Sequence, residues 1–177
     1  MHSALANGLL LDRGHVNNRT GERAYVVFGN KSLVFPLQNK EGRIVSFYFR
    51  AIEDKEVAHL YLQDRQGLYP GYPQENTKVL LLTESIIDCA SLIQSLNKLE
   101  VRSTNLEKLP TLDFKNLTYL ACYGVNGFTE EHREAINELK KLEEIIIMFD
   151  SDESGRKGAE KLGIEILELR KESSIKK

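Results

Sequence analysis

Three acidic residues in this sequence stand where a parallel sheet would gather them. Glu84 follows directly on the apolar run Val-Leu-Leu-Leu-Thr at 79–83, and Asp150 follows directly on Glu-Ile-Ile-Ile-Met-Phe at 144–149. In an open α/β sheet the binding crevice lies beyond the carboxyl ends of the strands, so acids at two such ends face one space. Asp152 joins Asp150, because residues two apart in extended backbone point the same way. Asp88, four residues after Glu84, falls on the same side of a first helical turn. Converging carboxylates repel unless a cation lies between them. Hard oxygen donors supplied singly by several segments suit Mg²⁺, with Mn²⁺ as a substitute; Mg²⁺ keeps several waters and takes its remaining ligands from substrate phosphates. The chemistry of such a site is phosphoryl or nucleotidyl transfer.

Simpler readings compete at each position. Asp-Ser-Asp-Glu-Ser-Gly at 150–155 is also a turn in which Asp152 or Ser154 caps the next helix and Gly155 supplies permissive backbone. The stretch imitates a calcium loop at positions 1, 3, 5 and 6 but fails at position 12, where Lys161 replaces the bidentate Glu, and an apolar strand leads into it instead of a helix. Asp88 alone is an ordinary first-turn acid favoured by the helix macrodipole. The combination of acids at strand ends is what points to a metal-dependent site.

The elements that must position these acids read as alternating strands and helices from Lys78 onward. The runs 79–83, 117–122 and 144–149 are apolar throughout, as for strands buried on both faces. Residues 86, 89, 90, 93 and 96 repeat at helical spacing, and a helix is expected from Thr129 to Leu142. After 150–155 we expect a short helix over 157–162 and a last strand at 164–169, Ile-Glu-Ile-Leu-Glu-Leu. Such alternation implies an α/β fold with a mostly parallel sheet flanked by helices. Before it, Ser-Leu-Val-Phe-Pro-Leu (32–37) and Arg-Ile-Val-Ser-Phe-Tyr-Phe-Arg-Ala-Ile (43–52) read as a β-hairpin, with Leu60–Leu62 as a further short strand. The Gly- and Pro-rich stretch 67–73 is a loop, and a lobe boundary is placed at 70–77. The first thirty residues show no clear period.

Composition narrows the class. The chain has 177 residues, 41% hydrophobic and 28% charged, with 12 Gly and 4 Pro, which suits one globular domain or two small lobes and excludes collagen-like and disordered classes. No run approaches the roughly 18 apolar residues of a membrane span, and residues 1–30 lack a signal peptide's apolar core, so a cytoplasmic location without membrane contact is expected. Cys89 and Cys122 form no Cys-x-x-Cys, and His2, His15, His59 and His132 form no Cys/His cluster, so no zinc is expected in this chain. Both cysteines lie in apolar segments and are expected as buried free thiols. Net charge is −2, divided as 10 Lys and Arg against 8 Asp and Glu in residues 1–78, and 14 against 18 in residues 79–177. An acidic half beside a mildly basic one is compatible with metal-dependent phosphate chemistry.

The pattern of a Glu after one buried strand and Asp-x-Asp-x-x-Gly after another resembles the Toprim fold shared by bacterial DnaG-type primases, topoisomerases and certain nucleases. Within that group, Thr-Glu-Ser-Ile-Ile-Asp-Cys-Ala-Ser-Leu (83–92) and Phe-Asp-Ser-Asp-Glu-Ser-Gly-Arg-Lys-Gly-Ala-Glu-Lys-Leu (149–162) resemble primase segments. Ala-Cys-Tyr-Gly-Val-Asn-Gly-Phe-Thr-Glu-Glu-His (121–132) is similar to the primase stretch carrying a Gly and then an acid-His pair, which puts Glu131 where primases have a metal-binding Asp. The hairpin region with Phe35-Pro36 and Arg50 resembles the primase N-terminal lobe, so the likeness runs from about residue 32 to 168. Ser85 stands where the Toprim pattern usually has Gly.

The resemblance implies a Toprim-like sheet preceded by a small mixed α+β hairpin lobe, divided as a β-rich lobe at 1–77, a Toprim domain at 78–170 and a frayed tail at 171–177. It implies template-directed RNA primer synthesis, in which a 3′-hydroxyl attacks the α-phosphate of a ribonucleoside triphosphate and pyrophosphate leaves. Asp150 and Asp152 would hold metal, Glu84 would bind metal or act as general acid or base, and Asp88 and Glu131 would complete the acidic cluster. Arg156 is a candidate triphosphate contact, and Arg43, Arg50 and Arg65 are candidates for template or nucleotide backbone contacts. Phe47, Tyr48 and Phe49 could stack bases, but sheet core is the favoured reading. The implied partners are single-stranded DNA, ribonucleoside triphosphates and a replicative helicase engaged through regions outside this chain. The zinc-binding and helicase-binding modules of such primases do not fit here, so a catalytic core or a reduced plasmid- or phage-like relative is expected. Two other readings use the same acids: a metal-dependent nuclease with water as nucleophile, and a non-catalytic module that binds nucleotide or nucleic acid. The hairpin lobe ahead of the acids favours primase.

Overall fold

A computed structural model describes residues 2–53, 59–102 and 116–175. The chain opens with a short helix, α1 (His2–Ala6), and an antiparallel pair, β1 (Leu10–Val16) and β2 (Arg23–Val27), whose register slips between Asp12 and His15. β3 (Ser32–Gln38), β4 (Ile44–Ala51) and β5 (His59–Tyr61) form a three-stranded antiparallel sheet in that order. β6 (Val79–Thr83), β7 (Leu117–Ala121) and β8 (Glu144–Met148) form a parallel sheet in the order β7-β6-β8, with α2 (Ile86–Arg102), α3 (Glu130–Asn137) and α4 (Glu153–Ile175) as the remaining elements. The expected α/β architecture with its preceding hairpin sheet is present.

Period-two alternation sorts the parallel strands between two cores. Leu80 and Leu82 of β6, with Leu120 and Cys122 at β7, pack against Ala135 and Ile136 of α3 and Leu162 and Ile166 of α4. Ala121, on the opposite face of β7, packs with Ile86 and Cys89 of α2 and with Leu37 and Tyr48 of the hairpin sheet. The second core therefore lies between the two sheets. Both cysteines are buried free thiols, as expected, Cys122 in the first core and Cys89 in the second.

Backbone also joins the sheets. Gln38 at the end of β3 pairs with Leu68 through N–H to O bonds of 3.0 and 2.8 Å, and the next carbonyl, that of Tyr69, accepts the Ala121 N–H of β7 at 3.0 Å. At the far end, Lys40 in the β3–β4 turn meets Glu138 beyond α3 at 2.5 Å.

Two expectations change. Residues 164–169 are not a strand: α4 runs unbroken from Glu153 to Ile175, through the expected break and through most of the tail expected to fray, whose last two residues lie outside the described set. Ile-Glu-Ile-Leu-Glu-Leu is a short apolar run of strand length, but Leu162, Ile166 and Leu169 recur at helical spacing, and this set meets the core. The region is rich in Leu, Glu, Lys and Arg, all good helix formers. The helix expected over 129–142 is also shorter, because after Asn137 the chain tightens into turns that still bury Leu139 and Leu142. Among the described residues, no helix is long and apolar enough to cross a membrane.

Helix and strand make opposite demands on Ile164 and Ile166, which would share a face in a strand. Ile164 is 54% exposed and Ile166 only 5%. Ile166→Ala should cost about 2–4 kcal/mol in urea unfolding, whereas Ile164→Ala should stay within about 0.5 kcal/mol of wild type. Equal losses would contradict the helix.

Candidate functional site

The chain passes from β6 to β7 on one side of the sheet and from β7 to β8 on the other, so direction reverses between β6 and β8. Open α/β sheets bind ligands at such a switch point. Glu84 and Asp150 both sit there. Thr83 and Met148 are paired across the two strands, and beyond them Glu84 Oε2 accepts the Asp150 N–H at 3.2 Å. The Glu84 carbonyl accepts the Gly124 N–H at 2.9 Å, tying the loop after β7 to the same point.

The other two acids of these loops are tied into helix N-termini, Asp152 as the cap and Asp88 as the partner of a capping serine. Asp152 Oδ1 accepts the Gly155 N–H at 2.7 Å, closing the first turn of α4. Gly155 is needed for close approach: a Cβ there would fall 2.1 Å from the Asp150 carbonyl oxygen. At α2, Ser85 Oγ donates to Asp88 Oδ2 at 2.5 Å and receives the Asp88 N–H at 3.2 Å. A Gly at 85 could do neither, so the serine draws Asp88 into a helix cap.

Glu131 is held differently. Both its oxygens accept the Gly67 N–H, at 3.0 and 2.9 Å, and Oε1 also accepts the Tyr72 hydroxyl at 3.3 Å. Among the described residues, no three His, Cys, Asp or Glu side chains converge to hold a metal. The structure thus brings Glu84 and Asp150 together with Asp152 on the adjoining turn, and gives Asp88 and Glu131 other hydrogen-bonding work. One or two carboxylates are what Mg²⁺ takes from protein when substrate phosphates supply the rest, so one or two of Glu84, Asp150 and Asp152 would suit that ion.

The Toprim-like family matches residues 81–176, more than half of the sequence and every strand-end acid. The chain belongs to this family. No curated protein matches it in sequence. Among solved structures, a DNA primase domain from Pseudomonas aeruginosa is similar at 23% identity and a TM-score of 0.59, with 89% of this chain and 44% of that one covered. The Aquifex aeolicus primase, comprising zinc-binding and RNA polymerase domains, is similar at 19% identity and a TM-score of 0.58, covering 89% of this chain and 34% of that one. A DnaG primase catalytic domain bound to single-stranded DNA gives 16% identity and a TM-score of 0.53, covering 89% and 45%. The shared fold takes in the hairpin sheet as well as the Toprim lobe. This chain spans less than half the length of each of the three.

The arginines divide by position. Arg43 pairs with Glu41 at 3.1 Å on the β3–β4 turn, the end that meets Glu138 and lies away from the Toprim acids. Arg50, seven residues along β4, is about 23 Å further, beside Tyr48, whose hydroxyl also feels Asp88. The Arg65 guanidinium stacks over Tyr61 and Tyr123, at 4.8 and 4.3 Å from the ring centroids. Arg156 donates to the Ser151 carbonyl, bracing the Asp150–Asp152 loop from α4. Tyr48 and Phe49 are buried, as expected of sheet core.

Sequence reasoning assigned no site role to His132, Gly67 or Tyr123. His132 is fully buried, with Nε2 set against the Ala121 carbonyl at 2.9 Å and Nδ1 receiving the Thr129 N–H at 3.1 Å. Those partners require the neutral ring with its proton on Nε2. Its visible signal was the acid-His pair, but a lone His in an amphipathic helix carries no mark of such a bond. Burial lowers the His132 pKa from 6.5 to about 4 and pushes the Tyr72 hydroxyl and Cys122 thiol up to about 12.

Two outcomes follow. Gly155→Ala must displace the Asp150 backbone, and should cost about 1–3 kcal/mol in urea unfolding. Because folding keeps His132 neutral, its contribution is whole above pH 6.5 and is lost as pH falls toward 4. Over that window wild type should lose on the order of 3 kcal/mol more than His132→Gln in parallel urea titrations; identical pH profiles would refute this assignment.

Proposed function

We propose that this chain carries the nucleotidyl-transfer centre of a DNA primase, building RNA primers from ribonucleoside triphosphates on single-stranded DNA. The observation that carries the reading is the Glu84–Asp150 pair at the switch point of a Toprim lobe that is packed on a hairpin sheet, the combination found in primase cores. The hairpin sheet is also what favours primase over a Toprim nuclease.

In this reading Asp150 and Asp152, with Glu84, hold Mg²⁺ or Mn²⁺, which when bound polarises phosphate oxygens and offsets charge that builds on them during transfer. The Asp150 amide orients the Glu84 carboxylate, leaving its other oxygen for metal or for the proton of the attacking hydroxyl. The Gly155 cap fixes Asp152, and Arg156 holds the loop carbonyl, so the acids enter the reaction already oriented. Arg50 and Arg65, on the hairpin side, supply positive charge for the template or triphosphate. A replicative helicase would engage other parts of a longer protein.

With Mg²⁺ or Mn²⁺, ribonucleotides and single-stranded template, wild type should form oligoribonucleotides, and Asp150→Ala should lower the yield about a hundredfold or more. Saturating Mg²⁺, at a hundred times its Kd, should raise unfolding free energy by about 2.7 kcal/mol in wild type and leave Asp150→Asn unchanged. Template shortening without ribonucleotide incorporation would replace primase with nuclease. Binding of template and triphosphate with no turnover would leave a non-catalytic module.

A further inference from the structure

The resemblance to primases puts Glu131 where they carry a metal-binding Asp, yet its carboxylate closes on the connection between the lobes. Both oxygens meet the Gly67 amide, and the Tyr123 hydroxyl donates to the Gly67 carbonyl from the other side of the same residue. Gly67 has φ +84°, and a Cβ there would lie 2.8 Å from Val45 Cγ2 and 3.0 Å from Gln38 backbone atoms. Its backbone is therefore gripped at N–H, at C=O and across the missing side chain.

Two residues upstream stands Arg65, within about 7 Å of Gly67 along the chain. Its guanidinium lies over Tyr61 of β5 and over Tyr123, the residue that also holds Gly67. The residue is exposed and, among the described residues, enters no ion pair with a carboxylate. A guanidinium stacked by its face keeps its edge donors in plane, the arrangement that pairs with a phosphate. We infer that Glu131 is a positioning residue: by holding Gly67 it fixes Arg65 against Tyr61 and Tyr123, with the guanidinium edge presented to a nucleic-acid phosphate at the seam of the two lobes. The identity of that anion rests on the primase reading.

The test needs no turnover. Binding of a fluorescent oligothymidylate is measured by anisotropy across a salt series without divalent metal, and thermal melts are run with and without Mg²⁺. Arg65→Ala should reduce the slope of log K on log salt by about 0.7, the loss of one single-strand phosphate contact. Glu131→Ala should reduce it equally, the double variant should lose nothing more, and the Mg²⁺-dependent shift should persist in both single variants. Glu131→Gln, which keeps one acceptor toward Gly67, should recover most of the slope. A structural role alone would lower the melting temperature and leave the slope at the wild-type value, overturning the inference. Loss of the Mg²⁺ shift in Glu131→Gln would make Glu131 a metal ligand and overturn it too, as would an unchanged slope in Arg65→Ala. Should Glu131→Ala not fold, Tyr123→Phe keeps the ring and removes the bond to Gly67; a wild-type slope there is equally fatal. Primer synthesis with a wild-type slope in Glu131→Ala sinks this inference alone, whereas the expected slopes without primer synthesis sink the primase reading alone.

Discussion

The hairpin sheet β3-β4-β5 and the parallel sheet are joined by backbone as well as by side chains. One stretch, Gly67 to Tyr69, pairs with the end of β3 through Leu68 and with the edge of β7 through Tyr69, while Glu131 and Tyr123 hold Gly67 between them. Beneath it the apolar contact of Leu37, Tyr48, Ile86, Cys89 and Ala121 excludes water. Backbone bonds shielded in this way set orientation, where apolar contact alone tolerates sliding. This junction decides which part of the hairpin lobe overlooks the strand-end acids: Arg50 and Arg65 are carried toward them and Arg43 away.

The acids themselves show how a site is assembled from ordinary local structure. Asp152 caps α4, Asp88 accepts the hydroxyl of Ser85 that caps α2, and Glu84 takes the amide of Asp150. A carboxylate that spends one oxygen on a neighbouring donor has already lost much of its rotational freedom, so less ordering remains when a cation or substrate arrives. Capping and ligation are thus complementary uses of one side chain.

Much of this was legible from residue type and period. Continuous apolar runs marked β6, β7 and β8 because a strand covered on both faces has no polar alternation, and the acids after them marked the crevice. The hairpin was legible because Gln38 to Gly42 interrupts two β-branched and aromatic runs. Residues 164–169 misled because a short apolar six-residue window reads as a strand, and the choice depends on Leu162 outside it, which with Ile166 and Leu169 completes the helical face. β1 stayed hidden because most of it is exposed, so no apolar face marks it, and its partner β2 is only half-buried at its centre. The role of Glu131 could not be read at all, since its partner lies 64 residues away and is a backbone amide.

Ala121 contributes a methyl group to the core, and its peptide links contribute far more. Its N–H goes to Tyr69 in the connection and its C=O to His132 of α3, so one strand residue joins the hairpin lobe, the sheet and a helix. No side-chain replacement erases either bond, because every residue except proline keeps both groups. A conventional mutational scan would therefore score this position by size alone. Its part in holding the lobes together would emerge only from chemical synthesis, with an ester in place of the amide.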